Sequence, residues 1–316
     1  MDAEPEDGSF LPEAALSRLK VGAGGSWTSD LSVAELSAVR RVGFLPAGMV
    51  VGMSVYQIAL QGLSPTYFGL PAGGWGSLGG AGMGASWSPA GFRGYFRGYP
   101  CTHAVYGLGH GYGVNYEDVY YEQGLEDTFK LALDRLREEA SALGAHGIVG
   151  VRHSLSDLRL ASSVPVIELK MIGTAIVRPG AEALAEPFTS HLSGQQFAKL
   201  LDSGWVPSDL VFGVGAIRSQ GGCVGMTSAS TWSGAEFVQR SEAVQAAQEI
   251  AIDGIEDRAR SAGDRVIGVG IGLSIREGGE GGAMVSMQAT GTAVKRFRDH
   301  DEVAIPEVFL RLNDPR

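Results

Sequence analysis

From Leu125 to Leu143 apolar residues recur at helical spacing (Phe129, Ala132, Leu133, Leu136, Ala140, Leu143), while Asp134, Arg135, Arg137, Glu138 and Glu139 fill the opposite face. The spacing predicts an amphipathic helix lying on an apolar surface. Gly144 follows the last apolar position, where a left-handed C-cap favours a residue without a Cβ, and a short apolar strand runs on to Ser156. The pattern occurs again from about Val244 to Ser274, with Gly263 in the place of Gly144.

The two copies align with Ala132 on Ala251, Leu136 on Ile255 and Gly144 on Gly263, an offset of 119. One residue is then lost, and Gly150-Val151 falls on Gly268-Val269 at an offset of 118, which still holds where Gly173-Thr174-Ala175-Ile176 meets Gly291-Thr292-Ala293-Val294. Upstream, the stretch from Thr28 lies without gaps on the stretch from Thr189 at an offset of 161, pairing Leu31 with Leu192, Ser32 with Ser193, Pro46 with Pro207 and Gly52 with Gly213. Ser32 with Glu35 and Ser193 with Gln196 have capping-box spacing, so each copy begins with a short capped helix. A valine-rich strand follows in each, at Met49 to Val55 and Leu210 to Ala216. In the strand after the long helix, alternation puts Val149, Val151, His153 and Leu155 on one face, opposite a small face represented by Gly268, Gly270 and Gly272 in the second copy.

The offset falls from 161 to 119 after the valine-rich strand, so the first copy carries 42 more residues there. This insertion, from about 61 to 115, is glycine-rich, with Trp75, Trp87, Phe92, Tyr95, Phe96 and Tyr99 scattered through it. It is expected to lack regular structure, and a loop of that length inside a compact unit serves a function, a partner or disorder. Its aromatics point to a contact surface.

Composition adds exclusions. A chain of 316 residues that is 44% apolar and 19% charged is globular and long enough for two units. A net charge of −10, with no clustered Lys and Arg, argues against nucleic acid. Two cysteines, Cys101 and Cys223, make no disulfide framework, the start MDAEPEDG is unlike a signal peptide, and the apolar run from Phe44 to Leu60 is broken by Pro46, Gly48 and Gly52. A cytoplasmic protein without a membrane span is expected.

The segments LGAHGIVGVRHS with GTAIV, and GDRVIGVGIGLS with GTAVK, resemble the YbjQ-like putative heavy-metal-binding family. The resemblance implies small α+β domains of dodecin-like fold that assemble as five-domain rings. The residues alone give a compatible picture of one long helix on one antiparallel sheet per copy. The expected fold class is therefore α+β, with two tandem YbjQ-like domains, each an antiparallel sheet with one long amphipathic helix and a short N-terminal helix. The expected divisions are an N-terminal tail 1–27, a first repeat 28–178 containing the insertion, a linker 179–188, a second repeat 189–295 and a C-terminal tail 296–316. Five is odd, so two-domain chains would fit five-domain rings as five chains in a double-layered ring, each layer built from one repeat type.

Cys101, His103 and His110 form the candidate metal site, because a thiol and imidazoles suit soft metals such as zinc or copper. The spacing is not a standard zinc spacing, and chance proximity is the competing reading. His153, matched by Ile271, reads as a packed or interfacial histidine; His146 lies in the turn after the helix, and His191, matched by Asp30, reads as an exposed loop residue. Cys223 lacks a neighbouring base, Met49 and Met53 read as packing, and GLGHGYG at 107–113 does not open a helix as a phosphate loop would. No catalytic grouping stands out. The sequence therefore points to a non-enzymatic, ring-forming scaffold or binding protein whose insertion meets a partner or the pore, with soft-metal binding or buffering as the alternative.

Overall fold

The computed structural model describes residues 28–57, 95–99, 113–158, 166–182, 184, 186–220, 237–277 and 282–298. Among them the fold is α+β with four helices and two sheets. In chain order the elements are α1 (Val33–Arg41), β1 (Leu45–Gln57), β2 (Phe96–Tyr99), β3 (Gly113–Glu117), α2 (Val119–Ala142), β4 (Gly147–Leu158), β5 (Val166–Val177), β6 (Phe188–Thr189), α3 (Gly194–Asp202), β7 (Trp205–Gln220), α4 (Val238–Ala262), β8 (Arg265–Glu277) and β9 (Ala283–Arg296).

Both short helices open on the capping boxes read from the sequence. The Ser32 hydroxyl accepts from the Glu35 N–H at 3.3 Å while the Glu35 carboxylate accepts from the Ser32 N–H at 2.8 Å. At α3 the same two bonds join Ser193 and Gln196 at 3.3 and 2.9 Å. The long helices begin six residues before the pattern predicts, in α2 because the Asp118 side chain caps the Tyr121 N–H at 3.1 Å and Tyr121 extends the buried face.

The helix ends differ, which corrects one expectation. Gly144 has φ +65°, and Ala145 N–H to Ala140 C=O and Gly144 N–H to Ser141 C=O complete a Schellman motif. Gly263 is extended at φ −167°. With one residue fewer here, Asp264 pairs at once with Val294, and glycine serves close approach, since a Cβ on Gly263 would lie 2.8 Å from the Val294 carbonyl oxygen.

The first sheet has the order β1-β5-β4-β6, and the second β2-β3-β7-β9-β8. All neighbours are antiparallel except β4 and β6, which are parallel. The halves thus exchange edges: β3, from the first, pairs with β7, and β6, from the start of the second, pairs with β4. The insertion was expected to lack regular structure, yet its end forms the β2–β3 hairpin that extends the second sheet.

Strand alternation breaks at one place in both halves. Gly150 and Gly268 each sit at φ +66° beside a register shift, a bulge that glycine accommodates without strain. Val149 and Val151 therefore do not share a face, as alternation alone predicted. Val149 packs with Val39, Ile176 and Phe197 under the short helices, while Val151 joins the core around α2.

Four layers result. The α2 helix lies between the sheets, covered on one side by Val50, Ile167, Leu169 and Met171 and on the other by Leu210, Phe212, Val214 and Ala216 of β7. The α4 helix lies on the far side of the second sheet, against Val211, Ile217, Val285, Met287 and Ala289. Helix and strand meet backbone to backbone at matched positions, where a Cβ on Gly52 would lie 1.9 Å from the Ala132 carbonyl oxygen and one on Gly213 1.9 Å from that of Ala251.

Candidate functional site

Cys101, His103, His110, Trp75, Trp87 and Phe92 lie outside the described residues, as does Cys223. Among the described residues no group of three or more His, Cys, Asp or Glu side chains could hold a metal ion. Of the insertion aromatics, Tyr95 packs on the core between α4 and the second sheet, and Phe96 is exposed on β2; Tyr99 ends that strand. The Tyr95 N–H donates to the Glu117 carboxylate at 2.8 Å, fastening the hairpin to β3.

The junction of β3 and α2 collects Glu117, Asp118 and Glu122. Asp118 pairs with Arg218 at 2.5 Å, and Glu122 accepts the Ala216 N–H at 2.6 Å. Burial, with the nearby Glu117 carboxylate adding to it, pushes the Glu122 carboxyl up to about 9, so that it carries a proton at neutral pH. These groups tie α2 to β7 and hold the layers in register.

Two histidines lie at the joint between the halves. The His153 ring meets Phe129 edge-on at 5.4 Å, consistent with a packed histidine. His191, expected to be exposed, is instead half-buried, with Nδ1 2.7 Å from the Thr292 hydroxyl and its ring over the Gly268 bulge. Burial lowers both below the ordinary histidine range, and each would be neutral at pH 7. His146 lies in the turn after α2, as read from the sequence, and is buried there, accepting the Arg178 N–H at 3.2 Å. A cleft of about 140 Å³ beside these groups is lined by Asp30, Glu35, Arg152, Thr174, His191 and Ser193. Arg152 is paired with Asp30 there, and the volume falls short of the roughly 300 Å³ at which small-molecule pockets begin.

What the described surface does offer is apolar area on two sheets. On β8, Val269, Ile271, Leu273 and Ile275 are exposed to 49, 51, 50 and 43%. They lie on the α4 side of the second sheet, but α4 lies mainly over β7 and β9, touches β8 at Val266 and Glu277, and leaves this stripe about half exposed. The matching residues of β4, Val151, His153 and Leu155, are buried or half-buried. On the outer face of the first sheet, Met53 and Val55 are exposed to 41 and 59% beside half-buried Met49, Val51 and Ile172. The β8 stripe continues the alternation read at Val149 to Leu155, whereas Met53, read from the sequence as packing, is exposed because no element covers that face of β1 among the described residues; nothing in the sequence showed that one copy is covered and the other not.

Among the described residues no helix is long and apolar enough to cross a membrane. Residues 114–178 match the family described as "Putative heavy-metal-binding". The chain is 29% identical over 278 residues, 86% of each protein, to an encapsulin nanocompartment protein of Mycobacterium tuberculosis. It is 41% identical over 69 residues to a UPF0145 protein of Acinetobacter baylyi, a match that spans 22% of this chain and 60% of that protein. The resemblance read from the sequence is thus supported on the segment that carries β3, α2, β4 and β5.

Proposed function

We propose that this protein is a non-enzymatic, cytoplasmic, self-assembling scaffold or binding protein built from two YbjQ-like repeats of dodecin-like fold. The Gly/aromatic insertion serves as its partner-docking or pore element. The observation that carries this reading is the pair of apolar faces on β8 and β1. Continuous apolar stripes of this kind mark interaction surfaces, whereas single exposed apolar residues need no explanation. The relative named as an encapsulin nanocompartment protein aligns with 86% of this chain, which favours a role in an assembly. Five chains in a double-layered ring, each layer built from one repeat type, is the assembly the resemblance implies. The cover of α2 by β7 of the same chain favours instead a ring in which the two repeat types alternate, which holds an even number of domains. Native mass spectrometry tests self-assembly: a discrete multiple of the 33.1 kDa chain is expected, and a monomer at micromolar concentration would reject it.

A second reading, zinc or copper binding through Cys101, His103 and His110, is favoured by the description of the family matched at 114–178. It predicts about one soft metal ion per purified chain, lost in the Cys101→Ala, His103→Ala variant.

A further inference from the structure

The joint between the halves of one chain has three parts. Leu210, Phe212, Val214 and Ala216 cover α2. The segment after the linker pairs with the outer edge of β4, through Gly150 N–H to Leu192 C=O at 2.8 Å, Val151 N–H to Ser190 C=O at 2.9 Å and Ser190 N–H to Ile148 C=O at 2.9 Å. Finally α1 packs on α3, with Arg41 and Asp202 paired at 2.8 Å.

Each side of that joint has an unmated counterpart at the other end of the chain. Met49, Val51, Met53 and Val55 occupy on β1 the positions of Leu210, Phe212, Val214 and Ala216 on β7. Residues 29–31 are already held in the shape of 190–192. The Leu31 N–H donates to the Ser29 hydroxyl at 3.0 Å as that of Leu192 does to Ser190 at 3.1 Å. The Asp30 N–H donates to the Thr174 hydroxyl at 3.2 Å as that of His191 does to Thr292 at 3.2 Å. At the opposite end, β8 repeats the bulge of β4, but no strand lies on its outer edge among the described residues. Its stripe Val269, Ile271, Leu273 and Ile275 is half exposed, and Val244 and Ile252, which match the buried Leu125 and Leu133, are only partly buried on α4.

We propose that the joint recurs between chains, head to tail: the outer face of β1 and residues 28–31 of one copy dock on α4, β8 and the β8 edge of the next. Resting on the self-assembly reading, this names its partner as a second copy of the chain and gives the register. Leu31 and Ser29 carbonyls accept from Gly268 and Val269 N–H groups, and the Val55 and Met53 side chains lie over α4. The contact is heterologous, so it must close into a ring or grow into a fibre, and the two kinds of repeat alternate along it.

The test uses two full-length variants, Ile271→Asp/Leu273→Asp and Met53→Asp/Val55→Asp, each altering one half of the joint at exposed positions. With the wild type an oligomer, each variant alone is expected at 33.1 kDa by native mass spectrometry. Their mixture is expected to give a 1:1 dimer and nothing larger, since only one intact pair of faces is then available. A wild type that is already a monomer overturns both this joint and the self-assembly reading. An oligomeric wild type whose variants stay oligomeric, or whose dissociated variants give no dimer on mixing, overturns the joint alone. Should either variant fail to fold, hydrogen exchange on the wild-type assembly decides: Gly268 and Val269 amides as protected as those of Gly150 and Val151 are expected, and fast exchange at the former pair overturns the proposal.

Discussion

The ring of Phe212, on β7, stacks on that of Phe129, on α2, with centroids 4.8 Å apart and planes 19° apart. Arg258 of α4 completes the stack: its guanidinium lies 4.5 Å from the Phe212 ring centre, donates to the Phe212 carbonyl at 2.6 Å and reaches Glu126 of α2 at 2.6 Å. One strand residue thus ties both long helices to the second sheet. Phe129 is fully buried here, so Phe129→Ala is expected to cost about 3–5 kcal/mol, read by denaturant unfolding. A loss under about 1 kcal/mol would mean that the halves do not clamp α2.

Helix and sheet approach so closely at Gly213 that one added methyl has no room. Gly213→Ala is expected to destabilise the protein by about 3 kcal/mol through overpacking against the Ala251 carbonyl. Gly272→Ala, where a Cβ meets open space, should stay within about 0.5 kcal/mol of wild type. Thermal unfolding of the two variants side by side separates packing from glycine chain entropy.

Much of this was legible in the sequence, and the misses have physical causes. The capping boxes at Ser32 and Ser193, the long amphipathic helices and the repeat offsets are local patterns, and the structure has those elements. Gly150 and Gly268 look like small residues in alternating strands, whereas their positive φ makes bulges that send Val149 and Val151 to different cores. Edge exchange by β3 and β6 depends on how the sheets stack, which no local pattern encodes. The same stacking encloses His191, which read as a loop residue, between Thr292 and the Gly268 bulge. The candidate metal ligands Cys101, His103 and His110 lie outside the described residues and rest on sequence alone.

Stability should fall with rising pH on the alkaline side. The Glu122 carboxyl is raised from 4.5 to about 9 by burial, so between those values the folded state binds more protons than the unfolded state. The contribution of Glu122 is then greatest at the acid end of that window and is lost toward pH 9, and above pH 6.5, where the histidines are neutral in both states, it sets the slope. Glu122→Gln, which keeps an acceptor for the Ala216 N–H, should flatten this limb and be more stable than wild type at pH 8. An unchanged slope in chemical unfolding from pH 6 to 9 would count against it.

The histidine contribution has the opposite sign. His153 is lowered from 6.5 by burial and then by His191, so below 6.5 the unfolded state takes up the proton first and the His153 contribution to stability is lost as pH falls, against the gain from Glu122. His153→Ile, which installs the residue found at position 271, is expected to reduce that loss between pH 6.5 and 5. An equal loss in both proteins would place the sensitive group elsewhere.

The capping box at α3 offers a smaller check. Ser193→Ala removes the acceptor for the Gln196 N–H and is expected to cost about 1 kcal/mol. Circular dichroism melts of the variant would show a modest drop in midpoint with the fold retained.

The most direct measurement is native mass spectrometry of the full chain with metal content read on the same sample. The account predicts one discrete assembly at a multiple of 33.1 kDa, independent of metal. A monomer carrying about one zinc or copper ion per chain would contradict it and turn the insertion into the functional centre.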